Sequence, residues 1–459
     1  MPTTAPRISR PLVAALLALS AGLGLAGPAS ARPVLLISID GLRPADIAQA
    51  TQRGLQLPNL RRFLAEGAHA EGVIGVLPTV TYPSHTTLLT GAAPAHHGVV
   101  NNWTFDPTQS NYDGWYWYAA DIKVPTLWDA AHAAHLSTAN VHWPVSVGAA
   151  SVDWNLPQIW RSGLADDDKL VAALSTPGLL PALSQSEGPY ATGIDDGVGG
   201  DENRGRFAVR LIGLHHPDFI TVYLTALDTT QHHAGPDTPE AHAVLERIDT
   251  VVGKLVAAEL AAHPDADIAV VSDHGFAPVD HELNLFRAFI DAGLMRLDSK
   301  GKVSGWDAVP WNSGGSIAVV LARHDDAALR EHVAALLATL QADPANRIAE
   351  IIPRSEIARA GGNPDADFYL NLAPGMMAAN YAGASAPLVG PSHYKGMHGY
   401  FPADPRMRST FLVKGTGIAA NRDLGLIDMR AIAPTLAKLL GVTLSGAEMP
   451  AIPLTDGSH

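Results

Sequence analysis

The sequence contains no cysteine among its 459 residues. Disulfide bonds, cysteine-ligated zinc sites and thiol-based catalysis are therefore excluded. A metal site in this chain has to be built from oxygen and nitrogen ligands, which carboxylates and imidazoles provide. The sequence supplies both types, with 45 Asp and Glu residues and 20 His residues.

Basic residues are few compared with acidic ones. The 31 Lys and Arg residues leave a formal net charge of −14 at pH 7. This balance argues against general nucleic-acid binding, which uses a basic surface. A small anionic substrate is still compatible with it, because bound metal ions can reverse the local charge.

Long apolar runs are missing after the N-terminal region, so no stable membrane span is predicted. The N-terminal region is typical of a signal peptide, because basic residues precede an apolar run over 12–25. Small residues at 29–31 predict cleavage after Ala31. We therefore expect residues 1–31 to be a signal peptide and the protein to be periplasmic or secreted.

Three continuous apolar runs end in an acid: PVLLISID over 33–40, FITVYLTALD over 219–228 and DIAVVSD over 267–273. Such runs suit strands that are buried on both faces of a parallel sheet. Helices are predicted over 58–66 and over 239–262, each with Pro in its first turn. Strands that alternate with helices predict an α/β domain with a mostly parallel sheet.

The stretch from about 281 to 394 has a different pattern. It holds a strand candidate at 316–322, a helix at 326–342 and a further strand at 348–353, between clusters of Gly and Pro. We interpret this stretch as an α+β insertion that caps the functional site. The predicted organisation is thus one catalytic domain over 32–459 that carries this cap.

Candidate metal ligands follow the three acid-terminated strands. In open α/β sheets, ligands bind beyond the carboxyl ends of the strands, so these residues are expected to converge. One strand-end Asp alone would indicate only a turn or a helix cap. Three carboxylates and three imidazoles together suit two catalytic zinc ions. Five candidates lie at or just after these strand ends, and His398 lies apart from them in MHGYFP. The six candidates are Asp40, Asp228, His232, Asp273, His274 and His398.

Thr81 is the candidate nucleophile. It lies in PTVTYPSHTTLLTG, at a predicted helix start, where free N–H groups favour a phosphate oxygen. A hydroxyl attacks at neutral pH only when a base or a metal activates it. The segment by itself would make Thr81 an ordinary helix cap, and the metal ligands nearby favour the nucleophile.

The motifs resemble those of the nucleotide pyrophosphatase/phosphodiesterase family, within the alkaline phosphatase superfamily. They are ISIDGLRP, PTVTYPSHTTLLTGAAPAHHGVVNN, LDTTQHHAGP, SDHGF and MHGY, and they extend over most of the chain in order. The family carries Thr, an aromatic residue and Pro in its nucleophile block, which Thr81, Tyr82 and Pro83 match. The resemblance implies an alkaline-phosphatase-like fold, in which helices sandwich a mostly parallel sheet and an α+β cap is inserted.

The resemblance also implies how the metals are bound. The ligands would form two sets, Asp40, Asp273 and His274 for one Zn²⁺ and Asp228, His232 and His398 for the other. Thr81 would contact the first zinc as a bridging nucleophile.

The substrate contacts follow from the same resemblance. Asn102 and the backbone N–H of Thr81 would hold a nonbridging phosphate oxygen. Tyr82 would form one wall of a slot for a base or a leaving group, with Trp154 or Trp160 as the opposite wall. One departure lies beside these residues, because Asn101 stands where the family commonly has an acid.

The expected activity is hydrolysis of phosphodiester or pyrophosphate bonds in small nucleotide-type substrates through a covalent phosphothreonine. A phosphomonoesterase of this fold would need extra cations, and the sequence has no Lys or Arg between Lys123 and Arg161. A phosphonate hydrolase stays an alternative, since that chemistry also uses an activated threonine. An inactive periplasmic binding relative is the non-enzymatic alternative, and it would not need Thr81 beside the metal ligands.

Overall fold

The computed structural model describes residues 1–4, 31–111, 114–160, 164, 166–192, 196–381 and 386–455. Ala31–His459 forms one compact unit. The signal-peptide prediction depends on residues 5–30 and so lies outside the described residues. In the described part of the chain, no helix combines the length and the apolar character that crossing a membrane requires.

The strands are short, and most of those in the centre of the molecule are buried. In chain order they are Val34–Ile39 (β1), Ala68–His69 (β2), Gly72–Ile74 (β3), Thr138–Val141 (β4), Trp154–Leu156 (β5), Phe219–Leu224 (β6), Asp267–Val271 (β7), Ala277–Leu283 (β8), Met295–Leu297 (β9), Val303–Trp306 (β10), Ala308–Ser313 (β11), Ser316–Leu321 (β12), Ile348–Pro353 (β13), Phe368–Leu372 (β14), Gly375–Ala378 (β15), Val389–Pro391 (β16), Gly396–Met397 (β17), Phe411–Lys414 (β18), Arg422–Asp423 (β19) and Leu426–Asp428 (β20).

The helices range from one turn to seven turns. In chain order they are Pro44–Ala48 (α1), Pro58–Glu66 (α2), Thr81–Thr90 (α3), Pro94–His97 (α4), Leu127–Ala133 (α5), Asp167–Leu174 (α6), Leu179–Glu187 (α7), Val198–His215 (α8), Ala226–Ala234 (α9), Pro239–Ala262 (α10), Leu285–Asp291 (α11), Ala327–Ala342 (α12), Arg354–Arg359 (α13) and Ile432–Leu439 (α14).

The main sheet has the order β19-β2-β18-β7-β1-β6-β4-β5. The five strands from β7 to β5 are parallel to one another, while β18 is antiparallel to β7. Residues of β1 alternate between two cores: Leu35 and Ile37 pack with α2, α8 and α10, and Val34 and Leu36 pack with α3, α5 and α14. The predicted parallel sheet between helical layers is therefore confirmed.

The chain between β7 and β18 forms a second group of strands. Strands β11, β12, β14 and β13 form an antiparallel sheet in that order, and β8 pairs with β15, β16 and β17. These strands share a separate hydrophobic core with α11 and α12. The predicted strand, helix and strand at 316–322, 326–342 and 348–353 correspond to β12, α12 and β13. The boundaries 281–394 of the cap stay a prediction.

The prediction that Asp228 and Asp273 end their strands is wrong in detail. Strand β6 ends at Leu224, and Asp228 lies in the first turn of α9. Strand β7 ends at Val271, two residues before Asp273. For β6 the reason is a tertiary contact: the buried Asp201 carboxylate accepts the N–H groups of Thr225 and Ala226 at 3.0 and 2.9 Å, and α9 begins there.

Glu259 lies on α10, one of the helices that pack on the main sheet, and it allows the burial of this helix to be tested. It is fully buried, and its carboxylate oxygens have no hydrogen-bond partner among the described residues. Burial, helped by Asp218, raises the pKa of Glu259 from 4.5 to about 7. The folded chain therefore binds this proton more tightly than the unfolded chain. The free energy of unfolding consequently falls as the pH rises from 4.5 to 7.

We expect Glu259→Gln, which cannot ionise, to be more stable than the wild type by about 2–3 kcal/mol at pH 8. The two proteins should have similar stability near pH 4.5. Urea unfolding at both pH values measures the difference. Glu240→Gln, which alters an exposed acid on the same helix, is the control and should not gain stability with pH. An equal gain at both pH values would contradict the prediction.

Candidate active site

The ends of neighbouring strands bring the first set of predicted ligands together. Asp40 follows β1 directly, and Asp273 and His274 follow β7, which pairs with β1. The Nε2 atom of His274 lies 3.2 Å from Asp40 Oδ1 and 3.1 Å from Asp273 Oδ2. Asp40, Asp273 and His274 thus form a buried group whose ligand atoms lie within 4.8 Å of one another.

A second group surrounds Asp228. One carboxylate oxygen of Asp228 lies within 4.8 Å of a ring nitrogen of His274 and of a ring nitrogen of His398. The rings of His274 and His398 stack with centroids 3.5 Å apart. His232, the ligand predicted for this place, has its Nε2 atom 3.4 Å from Asp228 Oδ2. All six predicted ligands therefore converge, and His274 is common to both groups.

The three imidazoles are oriented as metal ligands are. In each ring Nδ1 faces a backbone carbonyl, which only accepts, so Nδ1 carries the hydrogen and Nε2 keeps its lone pair. These carbonyls fix the tautomer and the ring direction, as the outer contacts of metal-binding histidines do. The pairs are His232 with Gly396 at 3.0 Å, His274 with Gly275 at 3.1 Å and His398 with Thr79 at 3.1 Å.

Two glycines allow the segment around His398 to enter the site. A side chain at Gly396 would meet the carbonyl oxygen of Gln231 at 2.4 Å, and one at Gly399 would meet that of Ser313 at 1.8 Å. Gly399 also has φ +88°, which disfavours other residues. The backbone therefore approaches neighbouring carbonyl groups closely on both sides of His398.

The carboxylates of the site need a cation. Asp40 Oδ1, Asp228 Oδ1 and Asp273 Oδ2 are buried without a hydrogen-bond donor among the described residues. Burial raises the pKa of Asp40 and Asp228, and repulsion by neighbouring carboxylates adds to it. Divalent cations would relieve both effects, and hard oxygen with neutral imidazole is a ligand set that zinc accepts. The residues therefore fit a metal site.

Thr81 lies beside this cluster at the first residue of α3. Val80 occupies the cap position, and Thr81 makes no capping hydrogen bond. Its hydroxyl oxygen lies 3.5 Å from His274 Nε2. Thr81 therefore does not act as an ordinary helix cap. Its hydroxyl lies at the edge of the group of candidate metal ligands.

Asn102 is fixed next to Thr81. Its Oδ1 accepts the backbone N–H of Tyr82 at 2.9 Å, in the first turn of α3. The side-chain amide of Asn102 is then its remaining donor. Asn102 and Thr81 line one cavity of about 250 Å³ together with Asp40, Asp228, His232 and His398.

Aromatic side chains form one side of this cavity. Tyr82, Trp103, Trp115 and Trp160 all line it. Trp115 stacks on Trp103 with centroids 5.0 Å apart, and it lies 5.3 Å from Tyr82 and 6.1 Å from Trp160. Trp103 and Trp115 were not predicted, because they lie outside the motifs and only the position of Trp103 after Asn102 points to the site.

Of the two tryptophans predicted as the second wall, only Trp160 faces this cavity. Trp154 belongs to the edge strand β5, where its ring stacks on His215 at 4.4 Å. The suggestion of Trp154 is therefore wrong, because its strand directs the ring to the helix α8 that covers the sheet.

Two further residues support the site from behind. The Tyr223 hydroxyl donates to Asp40 Oδ2. The buried ring of His85 bonds the Ser38 hydroxyl and the Thr81 carbonyl, each at 2.8 Å, and burial lowers its pKa to about 4. Sequence reasoning missed both roles, although Tyr223 is the only hydroxyl-bearing aromatic in a strand next to β1.

Several known proteins are similar to this chain. Residues 34–401 match the family model described as type I phosphodiesterase/nucleotide pyrophosphatase. A bis(5'-adenosyl)-triphosphatase of Bos taurus is 28% identical over 268 residues, which are 57% of this chain and 52% of the relative. An uncharacterized pyrophosphatase/phosphodiesterase of Schizosaccharomyces pombe is 26% identical over 257 residues, 53% of this chain and 45% of the relative. The match thus spans about half the length of these relatives.

A solved structure extends the comparison to the fold. Murine ectonucleotide pyrophosphatase/phosphodiesterase 5, an inactive variant in complex with AMP, has a TM-score of 0.63 at 19% identity. The likeness covers 92% of this chain and 96% of that chain. At this identity it shows the fold, and it confirms the predicted alkaline-phosphatase-like class.

We expect Zn²⁺ to stabilise the folded chain, since it relieves the repulsion between buried carboxylates. At about 1,000 times its Kd, one bound ion contributes about 4 kcal/mol. The melting temperature with Zn²⁺, compared with that in a chelator, measures this. His274→Ala should lose most of the shift because His274 belongs to both groups, whereas His281→Ala, an exposed histidine elsewhere, should keep it. An undiminished shift in His274→Ala would contradict the site.

Proposed function

Because this chain belongs to the type I phosphodiesterase/nucleotide pyrophosphatase family, we propose that it hydrolyses phosphodiester or pyrophosphate bonds in small nucleotide-type substrates. The observation that carries the proposal is the Thr81 hydroxyl at the edge of a buried Asp and His cluster inside one cavity. The names of two similar proteins support the substrate class, one a bis(5'-adenosyl)-triphosphatase and the other bound to AMP.

The cofactors of the proposed enzyme are two Zn²⁺ ions. Asp40, Asp273 and His274 would hold the first and Asp228, His232 and His398 the second. Bound there, zinc would lower the pKa of a coordinated hydroxyl and neutralise negative charge on phosphate oxygens. Tyr223 and the three backbone carbonyls behind the imidazoles keep the ligand atoms directed to the same place.

Thr81 carries out the chemistry in two displacements. In the first, its oxygen attacks phosphorus, the bond from phosphorus to the leaving oxygen breaks, and the hydroxyl proton is passed to the leaving group. In the second, water attacks the phosphothreonine, the monoester product leaves, and a proton from that water restores the Thr81 hydroxyl. The amide of Asn102 and the N-terminal N–H of α3 face the nonbridging oxygens and stabilise their charge.

The lining of the cavity favours a diester over a monoester. A monoester dianion carries one more negative charge and calls for additional cations. None of the described residues that line the cavity is Lys or Arg, and Asn102 is a neutral donor. The aromatic wall of Tyr82, Trp115 and Trp160 instead offers an apolar surface to a second ester group.

We also propose that the protein acts outside the cytoplasm, in the periplasm or after secretion. The proposal rests on the signal-peptide pattern of residues 1–31. The absence of cysteine is compatible with an oxidising compartment, because no thiol has to be kept reduced.

Thr81→Ala is expected to reduce kcat by about 10³-fold or more, since the covalent route needs this oxygen. Bound zinc, measured by mass spectrometry, should stay near the wild-type amount because the six protein ligands are intact. Thr90→Ala, at the other end of α3, is the matched control and should keep wild-type rates. Turnover by Thr81→Ala at the wild-type rate would exclude Thr81 as the nucleophile.

The zinc-loaded enzyme should prefer diesters. We expect kcat/KM for the p-nitrophenyl ester of thymidine 5′-monophosphate to exceed that for p-nitrophenyl phosphate by about 10²-fold or more, equivalent to roughly 2.7 kcal/mol. Both reactions release p-nitrophenol, so one absorbance assay compares them. A ratio below one would identify a phosphomonoesterase.

A further inference from the structure

Asn101 connects the loop that carries Asn102 to strand β11, which belongs to the group of strands between β7 and β18. Its side chain is 1% exposed. Its Oδ1 accepts the backbone N–H of Asn102 at 2.7 Å. Its Nδ2 donates to the carbonyl of Asn312 at 2.9 Å and to the hydroxyl of Ser313 at 3.1 Å. Both of these acceptors belong to β11.

This contact is the centre of a longer chain of hydrogen bonds. On one side, Asn102 Oδ1 accepts the N–H of Tyr82 in the first turn of the nucleophile helix. On the other side, the side chain of Asn312 donates to the carbonyl of Ala379, which follows β15. The nucleophile helix, the Asn102 loop and two strands of the cap are therefore joined through Asn101.

We propose that Asn101 is a positioning residue, through which the cap strand β11 fixes the direction of the Asn102 amide toward the substrate. The inference rests on the proposed function, in which Asn102 stabilises the phosphate oxygens. With its backbone N–H held by Asn101 and its Oδ1 held by Tyr82, the Asn102 side chain has one direction left for its amide. Small displacements of such a group lower the rate, by up to about 10²-fold for 1 Å.

The amide of Asn101 suits this role in a way that an acid does not. It offers an acceptor to the N–H of Asn102 and donors to the carbonyl of Asn312 at the same time. A carboxylate at this position would keep the acceptor but would place a negative oxygen against the carbonyl oxygen of Asn312. The hydrogen bond to the Asn312 carbonyl therefore requires the amide of Asn101.

A double-mutant cycle tests whether Asn101 acts through Asn102. With the p-nitrophenyl ester of thymidine 5′-monophosphate, we expect kcat to fall about 10-fold in Asn101→Ala and about 10²-fold in Asn102→Ala. In the double variant the loss should stay near 10²-fold, because no amide is left to position. Losses that multiply, or an Asn101→Ala variant with wild-type kcat, would overturn the proposal.

Two further variants separate positioning from general stability. Asn101→Asp keeps the acceptor and removes the donors, so it should lose about as much kcat as Asn101→Ala. Wild-type kcat in Asn101→Asp would overturn the link to the cap. Asn346→Ala removes another buried side chain that donates to a backbone carbonyl, at 2.8 Å to Leu340. This control should lower the melting temperature and leave kcat unchanged.

A structural measurement makes the inference independent of turnover. In a crystal structure of Asn101→Ala, we expect Asn102 Oδ1 to lie beyond hydrogen-bond distance of the Tyr82 N–H. An unchanged Asn102 would overturn the proposal. If instead the wild type with zinc does not cleave the diester at all, the proposed function fails, while this measurement still decides the positioning role.

Discussion

Three carboxylates gathered at one edge of the main sheet are the constraint on which the rest of this structure depends. Asp40, Asp228 and Asp273 each have one buried oxygen without a hydrogen-bond donor among the described residues. Burial and repulsion by neighbouring carboxylates raise the pKa of Asp40 and Asp228. A bound metal cation would neutralise this charge. We therefore expect the site to be more stable with a bound metal than without one.

The surrounding elements hold these unfavourable groups in place. Strand β1 lies between β6 and β7, and its complete burial fixes the position of Asp40. The buried Asp201 carboxylate holds the start of α9 and is paired with Arg204 at 3.0 Å, so the position of Asp228 depends on an ion pair away from the cavity. Removing one partner of such a pair leaves an uncompensated charge, which costs about 3–5 kcal/mol. Strand β11 adds hydrogen bonds to the side chain of Asn101, next to Asn102.

The sequence predicted the features that depend on local patterns. Long apolar runs located β1, β6 and β7, and a Pro at each start located α2 and α10 to the residue. Motifs located the six candidate ligands, although His274 belongs to the group around Asp228 as well as to the group around Asp40. Features that depend on contacts far apart in the chain were not predictable. Trp115 reaches Tyr82 across a loop, and Asp201 shortens β6 from a different helix, so no pattern around either residue reveals its role.

The spread of the ligands along the chain determines when the site can exist. Asp40 is near the start of the compact unit, and His398 is near its end, where its Nδ1 contacts the Thr79 carbonyl more than 300 positions earlier in the sequence. A growing or partly unfolded chain can hold five of the six ligands and still have no closed site. Loop closure of this length is among the slow events of folding. We therefore expect the group around Asp228 to be completed late in folding, because it needs His398, and a chain truncated before residue 398 to lack this group.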